Sequence, residues 1–162
     1  MGIKVGFGYD VHRFAENRPL ILGGVPIPHL QGLSGHSDAD VLLHAIADAL
    51  LGAANLGDIG LFFPGNDPQY KDMDSSVMLG EVMEMISNEG YQVGNLDATV
   101  VLQSPKISTY IPGMKKKIAG LLDLDEKDIS IKAKTSERLG FVGREEGVSA
   151  FATVLIFKDT TV

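Results

Sequence analysis

The sequence predicts an α+β fold, a mixed sheet of about four main strands with three helices on one of its faces. Three observations predict it. Four segments, Ile3 to Val11, Leu96 to Gln103, Ile129 to Lys134 and Val148 to Phe157, are rich in β-branched or aromatic residues and read as strands. Three other segments carry apolar residues at helical spacing. The order is strands, helix, helix, strand, helix, strands, which places helices together on one sheet face.

Taken in order, Ile3 to Val11 carries Val and aromatic residues among glycines and opens the sheet. Leu20-Ile21-Leu22 and Val25-Pro26-Ile27 flank Gly23-Gly24 as a short hairpin. A first helix starts near Ser37, with Ser37 as its cap and Asp38 and Asp40 in the positive first turn. Val41, Leu42, Ala45, Ile46, Ala49 and Leu50 form its apolar face, and it ends by Gly52 to Gly57. Gly57 to Asp74 concentrates Gly, Pro, Asn and Asp and reads as loop. Ser75 or Ser76 caps a second helix that turns Val77, Met78, Val82, Met83 and Ile86 inward and stops at Gly90. A third runs from about Ile111 to Leu122 and tolerates Pro112 in its first turn. The last two strands are separated by a glycine-bearing loop.

No repeat, low-complexity tract or linker interrupts the 162 residues, so a single domain over 1–162 is expected. The segments Ala98 to Leu102 and Val148 to Phe157 are apolar on both faces. Helices cover one face; further copies of the chain are the simplest cover for the other.

Composition narrows the function. Hydrophobic residues at 44% and charged residues at 22% are those of an ordinary globular protein. A net charge of −7 argues against nucleic-acid binding, which needs clustered Lys and Arg. The one basic run, Lys115-Lys116-Lys117, falls on the solvated face of the third helix. No apolar run approaches the ~18 residues of a membrane span, and no signal-like segment opens the chain, so a cytoplasmic protein without a membrane partner is expected. Without cysteine, any metal must sit on histidine and carboxylate.

Three constellations carry chemistry. In a strand, residues two apart share a side, so Asp10 and His12 converge on one point. On the first helix, Asp40, His44 and Asp48 stand four apart and make one polar stripe. A solvent-facing helix would look the same, but the run from Asp38 to Asp58 contains no basic residue, and grouped carboxylates repel unless a cation sits among them. Asp10, His12 and His44 together offer three ligands and leave a coordination place open, as in catalytic zinc sites; the same trio suits non-haem iron. Asp48 is then a candidate to orient a ligand histidine through its other ring nitrogen. The third constellation, Lys134 to Gly147, combines hydroxyls, acids, two arginines and glycines able to approach phosphate oxygens. Gln103-Ser104-Pro105-Lys106, at a strand end, suits a base or phosphate. His36 precedes a helix start, where its imidazole can donate to an anion, and His29 reads as surface.

Four blocks, Gly8-Tyr9-Asp10-Val11-His12, His36-Ser37-Asp38-Ala39-Asp40 with His44, Leu56-Gly57-Asp58-Ile59-Gly60 with Phe63-Pro64, and Thr135 to Arg144, together resemble the 2-C-methyl-D-erythritol 2,4-cyclodiphosphate synthase family over essentially the whole chain. The resemblance implies conversion of 4-diphosphocytidyl-2-C-methyl-D-erythritol 2-phosphate into the 2,4-cyclodiphosphate and CMP, in the non-mevalonate route to isoprenoids. It implies zinc on Asp10, His12 and His44, and a second cation, magnesium or manganese, held with the help of Glu137. His36 and Thr135 would polarise phosphates in the transition state. Ser37, Asp58, Gly60 and Phe63 would line the methylerythritol phosphate pocket, and Ser104, Pro105, Lys106, Lys134 and Thr135 would surround the cytidine diphosphate. Ser136, Phe141 and Arg144 are expected as further substrate contacts. A homotrimer is also implied, its sheets meeting about a threefold axis and its sites lying between subunits. The chain departs from the family in carrying Lys134-Thr135-Ser136 where many members have a threonine triplet, and Tyr9 where some have Phe.

The chemistry so implied needs no serine or cysteine nucleophile. The substrate's own 2-phosphate attacks the β-phosphorus, and holding one molecule in line supplies much of the acceleration. Cations and donors screen the approach of two anions. Two alternatives use the same residues differently: a zinc-dependent phosphohydrolase on a small nucleotide-linked substrate, and a non-catalytic nucleotide-binding module with structural zinc.

Overall fold

Alternation along the first strand sets the architecture. In the computed structural model, which describes residues 2–158, β1 (Gly2–Ala15) turns Ile3, Val5, Phe7, Tyr9 and Val11 outward and Gly6, Gly8, Asp10 and His12 to the opposite face. The outward set is 41–65% exposed, an uncovered apolar stripe. Behind the inward set lies α1 (Val41–Ala54), packed on β1 and on the last strand, β7 (Gly147–Lys158).

Two glycines make that packing close. A Cβ at Gly8 would stand 1.8 Å from the Ala45 carbonyl oxygen, and one at Gly6 1.8 Å from that of Ala49. Only glycine lets helix and strand backbones meet here. The contact slides the start of α1 under the inward residues further along β1, Asp10 and His12.

The main sheet is completed by β4 (Gly32–Leu33), β5 (Gln92–Val101) and β6 (Ile129–Lys134), in the order β4-β1-β7-β5-β6. It has five strands, mixed as expected: β5 and β6 pair in parallel, and the other neighbours are antiparallel. Register carries the two-faced pattern across it. Gly8, Ala152, Ala98 and Ile131 form one inward row, and Phe7, Thr153, Asp97 and Ser130 the outward row beside it. Outward residues grow polar toward β6, where Asp97 pairs with Lys132.

The three long helices lie where the pattern put them. The third, α4 (Ile111–Leu122), packs on β6, and α3 (Ser75–Asn88) packs against both α1 and α4. Two short helices, α2 (Ile59–Phe62) and α5 (Gly140–Gly143), occupy segments expected to be loop; four residues are too few to show a helical period. The hairpin forms as β2 (Leu20–Leu22) and β3 (Val25–Ile27), with Gly23 and Gly24 both at positive φ.

Two caps differ from expectation. The cap of α1 is Asp40, not Ser37: its carboxylate accepts from Leu43 N and also from the Gly23 and Gly24 N–H groups of the hairpin turn. Burial pushes this fully enclosed carboxyl up to about 6, with Asp38 adding to the rise and the three N–H donors opposing it. A buried tie between helix and hairpin leaves no sequence signal beyond an acid at a helix start. The cap of α3 is Asp74, one residue before the serines expected.

Candidate metal and phosphate site

Asp10 and His12 come from β1 and His44 from the first turn of α1, and their ligand atoms converge. Asp10 Oδ2 lies 2.9 Å from His12 Nε2 and 3.0 Å from His44 Nδ1, and the two nitrogens are 3.1 Å apart. His44 is buried; Asp10 and His12 are half-buried.

The outer ring nitrogens show what these three atoms offer. His12 Nδ1 donates to the Ser34 carbonyl at 2.7 Å, which leaves Nε2 as a bare lone pair. His44 turns Nε2 to the hydroxyls of Ser75 (2.9 Å) and Ser37 (3.2 Å), with Nδ1 facing Asp10. Two ring nitrogens and a carboxylate oxygen thus point at one another. Tetrahedral donors about 2.1 Å from a zinc ion stand roughly 3.4 Å apart, close to the spacing found, so the residues fit a divalent ion with a position left over for substrate.

Without a metal, a proton takes its place. Burial raises the Asp10 carboxyl, but hydrogen bonds and charge from both histidines outweigh it and hold the group well below its ordinary range. Burial likewise lowers His12, and its bond to Asp10 overrides that and raises it. The His12 contribution to the metal-free fold is therefore full below pH 6.5 and lost as pH rises through its raised pKa. The Asp10 contribution is present above pH 3.8 and lost as pH falls below it. Metal-free protein is expected to lose melting temperature on going from pH 6 to pH 9, and saturating zinc to flatten that fall. An equal fall with and without zinc, measured by calorimetry, would refute the coupling.

Asp48 does not orient a histidine. Its Oδ1 accepts from Ile59 N at 2.8 Å, while the outer nitrogens of the ligand pair are taken by Ser34, Ser37 and Ser75. Asp48 instead anchors the segment bearing Asp58 and Gly60 to α1. Asp58 caps α2 through Leu61 N. The expected polar stripe is thus no solvated face, since Asp40 and His44 are buried and Asp48 is half-buried. Burial, and then the charge of Asp58, raise the Asp48 carboxyl, against the pull of the Ile59 N–H.

The remaining expected residues fall into groups. His36 donates from Nε2 to the Asp67 carbonyl at 2.8 Å. Ser37 is buried, its Oγ accepting from Ala39 N, and Phe63 packs edge-on against Tyr70. Pro105, Lys106, Lys134 and Thr135 line one cavity of ≈ 180 Å³ with Gln103 and Ile107, next to Ser104. Thr135 Oγ1 donates to Glu137, Ser136 Oγ donates to the Leu139 carbonyl, and Gln103 accepts from Arg138 N. Glu137 and Arg138 both hold positive φ, a strained backbone of the kind that clusters at binding loops. Glu137 joins no metal-capable cluster among the described residues. Phe141 lines a separate open cavity of ≈ 790 Å³ with Tyr9, His12 and Glu146, and Glu146 holds the Arg144 guanidinium at 2.7 Å.

The cavity beside Lys106 and Lys134 and the Asp10, His12 and His44 cluster lie toward the same end of the sheet but share no lining residue. The strands β7 and β5 stand between β1 and β6, a separation of about 14 Å at ordinary strand spacing. The contacts Gln103 makes with Arg138 N and Ser75 makes with His44 were beyond sequence reasoning. Gln103 belongs to a segment expected to hold a base or phosphate, but its contact with Arg138 N has no sequence signal, and Ser75 reads from sequence only as a helix cap.

Comparison with known proteins places the chain. Residues 3–157 match the model of the YgbB family. The chain is 57% identical over 156 residues to the 2-C-methyl-D-erythritol 2,4-cyclodiphosphate synthase of Bacteroides fragilis, covering 96% of this chain and 98% of that one. Its fold is similar to the bifunctional IspDF of Campylobacter jejuni, with a TM-score of 0.92 and 45% identity over 96% of this chain and 42% of that one. It is also similar to a CDP complex of IspF from Plasmodium falciparum, with a TM-score of 0.85 and 38% identity over 98% of both chains. Over nearly its whole length, then, the chain belongs to the YgbB family, whose members include the 2-C-methyl-D-erythritol 2,4-cyclodiphosphate synthases.

Proposed function

We propose that this chain is a metal-dependent cyclase that converts 4-diphosphocytidyl-2-C-methyl-D-erythritol 2-phosphate to 2-C-methyl-D-erythritol 2,4-cyclodiphosphate and CMP, for isoprenoid synthesis in the cytoplasm. The convergence of Asp10, His12 and His44 at 2.9–3.1 Å carries this reading. Zinc on these three, with magnesium or manganese near Glu137, supplies positive charge to the phosphates. In the reaction an oxygen of the 2-phosphate bonds to the β-phosphorus as the bond to CMP breaks, and CMP leaves as an anion.

The protein groups orient and stabilise. Lys106 and Lys134, at the cavity beside Ser104 and Pro105, take the nucleotide diphosphate. The Thr135 hydroxyl, given to Glu137 in the free chain, turns to a phosphate oxygen, and His36 donates to another as charge shifts. Donors held ready for charge that develops in the transition state lower the barrier most. Ser37, Asp58, Gly60 and Phe63 shape the methylerythritol pocket, with Asp48 holding its backbone through Ile59. Ser136, Phe141 and Arg144 complete the contacts.

A homotrimer belongs to the same reading. The exposed stripe of β1 requires a cover, and the metal trio and nucleotide cavity, two strands apart, meet most simply when one copy's trio faces the next copy's cavity. The single domain then spans residues 1–162.

Incubating the protein with its cytidyl substrate, zinc and magnesium, and following phosphorus NMR, tests the reading. Cyclic diphosphate and CMP in equal amounts are expected. Linear phosphates would establish a hydrolase instead, and an unchanged substrate would refute both.

A further inference from the structure

Behind His44, on the side of the ring away from Asp10 and His12, the buried Ser75 and the half-buried Asp38 form a chain. His44 Nε2 lies 2.9 Å from Ser75 Oγ, and Ser75 Oγ in turn donates to Asp38 Oδ1. Asp38 is held by two backbone donors, Ser75 N at 3.0 Å and Asp40 N at 3.1 Å. Ser75 is 1% exposed, so water does not substitute for these partners.

Counting protons along this chain assigns them. A hydroxyl has one proton, and an ionised carboxylate only accepts. The Ser75 proton is therefore committed to Asp38, and Ser75 Oγ presents only lone pairs to Nε2. The contact is attractive only when Nε2 carries the imidazole proton, which leaves Nδ1 bare for an ion. Without an ion, Asp10 Oδ2, 3.0 Å from Nδ1, favours the opposite tautomer. Ser37 pulls the same way as Asp10. Its Oγ, 3.2 Å from the same nitrogen, already accepts from Ala39 N and has its own proton free to donate to a bare Nε2. That arrangement would put the imidazole proton on Nδ1, where an ion must bind.

We propose that Ser75 and Asp38 are positioning residues that hold His44 in its metal-binding tautomer, against the competing pulls of the Asp10 carboxylate and the Ser37 hydroxyl. The proposal rests on the metal reading above and adds to it what selects the ligand state. Outer partners of this kind set metal affinity over about ten- to a hundred-fold.

The test uses the full chain. In S75A the Ser37 hydroxyl is left to donate to Nε2, and zinc affinity, measured by chelator competition, is expected to fall about ten- to a hundred-fold. Excess zinc restores kcat to within a few-fold while KM for substrate stays put, because the loss lies in ion binding. Zinc affinity in S75A within about threefold of the parent would overturn the proposal. Should S75A fail to fold, D38N, which loosens the hold on the Ser75 proton, is read in the same way: a weaker zinc affinity supports the proposal, and one within about threefold of the parent overturns it. Failure of the unmodified protein to bind zinc would instead overturn the metal reading itself.

Discussion

Replacing His44 by alanine is expected to abolish cyclisation, lowering kcat by about three orders of magnitude or more, while leaving a folded chain. His44 supplies one of three converging ligand atoms, and two remaining donors hold an ion poorly. A metal's stabilisation of transition-state charge is worth several kcal/mol, and each 1.36 kcal/mol is about tenfold in rate. Folding should survive because the change removes polar contacts to Asp10, His12 and Ser75 and leaves the apolar residues of α1 in place. The measurement pairs metal analysis of purified H44A with turnover and circular dichroism. Full activity in H44A, or a full complement of zinc with activity lost, would sink the ligand assignment.

The second large effect concerns packing. Gly8→Ala puts a methyl 1.8 Å from the Ala45 oxygen and 2.7 Å from Ala49 N, both backbone atoms that cannot swing aside. The helix must shift bodily, and ordinary overpacking already costs about 1–3 kcal/mol. A cost near or above the top of that range is expected, a fall in Tm of about 6–12 °C for a chain of this size. Because Ala45 follows His44, the shift also parts His44 from Asp10, so zinc affinity should fall together with stability. Gly52→Ala is the control: nothing lies within 4 Å of its Cβ, and alanine in an exposed helical position favours the helix by about 1 kcal/mol. Opposite signs at two glycines would show that contact with α1, not glycine content, sets the outcome. A Tm for G8A within 3 °C of the parent would refute the packing argument.

Both effects depend on how local pattern and distant contact divide the work. Asp10 and His12, two apart on a strand, were legible as one converging pair because side-chain alternation is a local property of extended backbone. The three long helices were legible for the same reason, as was the hairpin at Gly23-Gly24, whose positive φ values glycine alone adopts freely. An uncovered sheet face was expected at Ala98 to Leu102 and Val148 to Phe157, whose outward Val101, Phe151 and Leu155 are half-buried; the most exposed apolar stripe, Ile3 to Val11, lies on β1, which the apolar pattern did not single out.

Contacts between residues far apart in the chain were not legible. Asp48, four residues after His44 on one helix face, had every local mark of an orienting acid, yet its partner is Ile59 N. Asp40 looked like first-turn charge and proved to bridge a helix and a hairpin turn. Ser75 looked like a cap and lies against His44, 31 positions away. A side chain's period along its own element is written in neighbouring residues. Its hydrogen-bond partner is chosen only when elements dock, and docking here turns on two glycines of β1 that let α1 come within backbone contact.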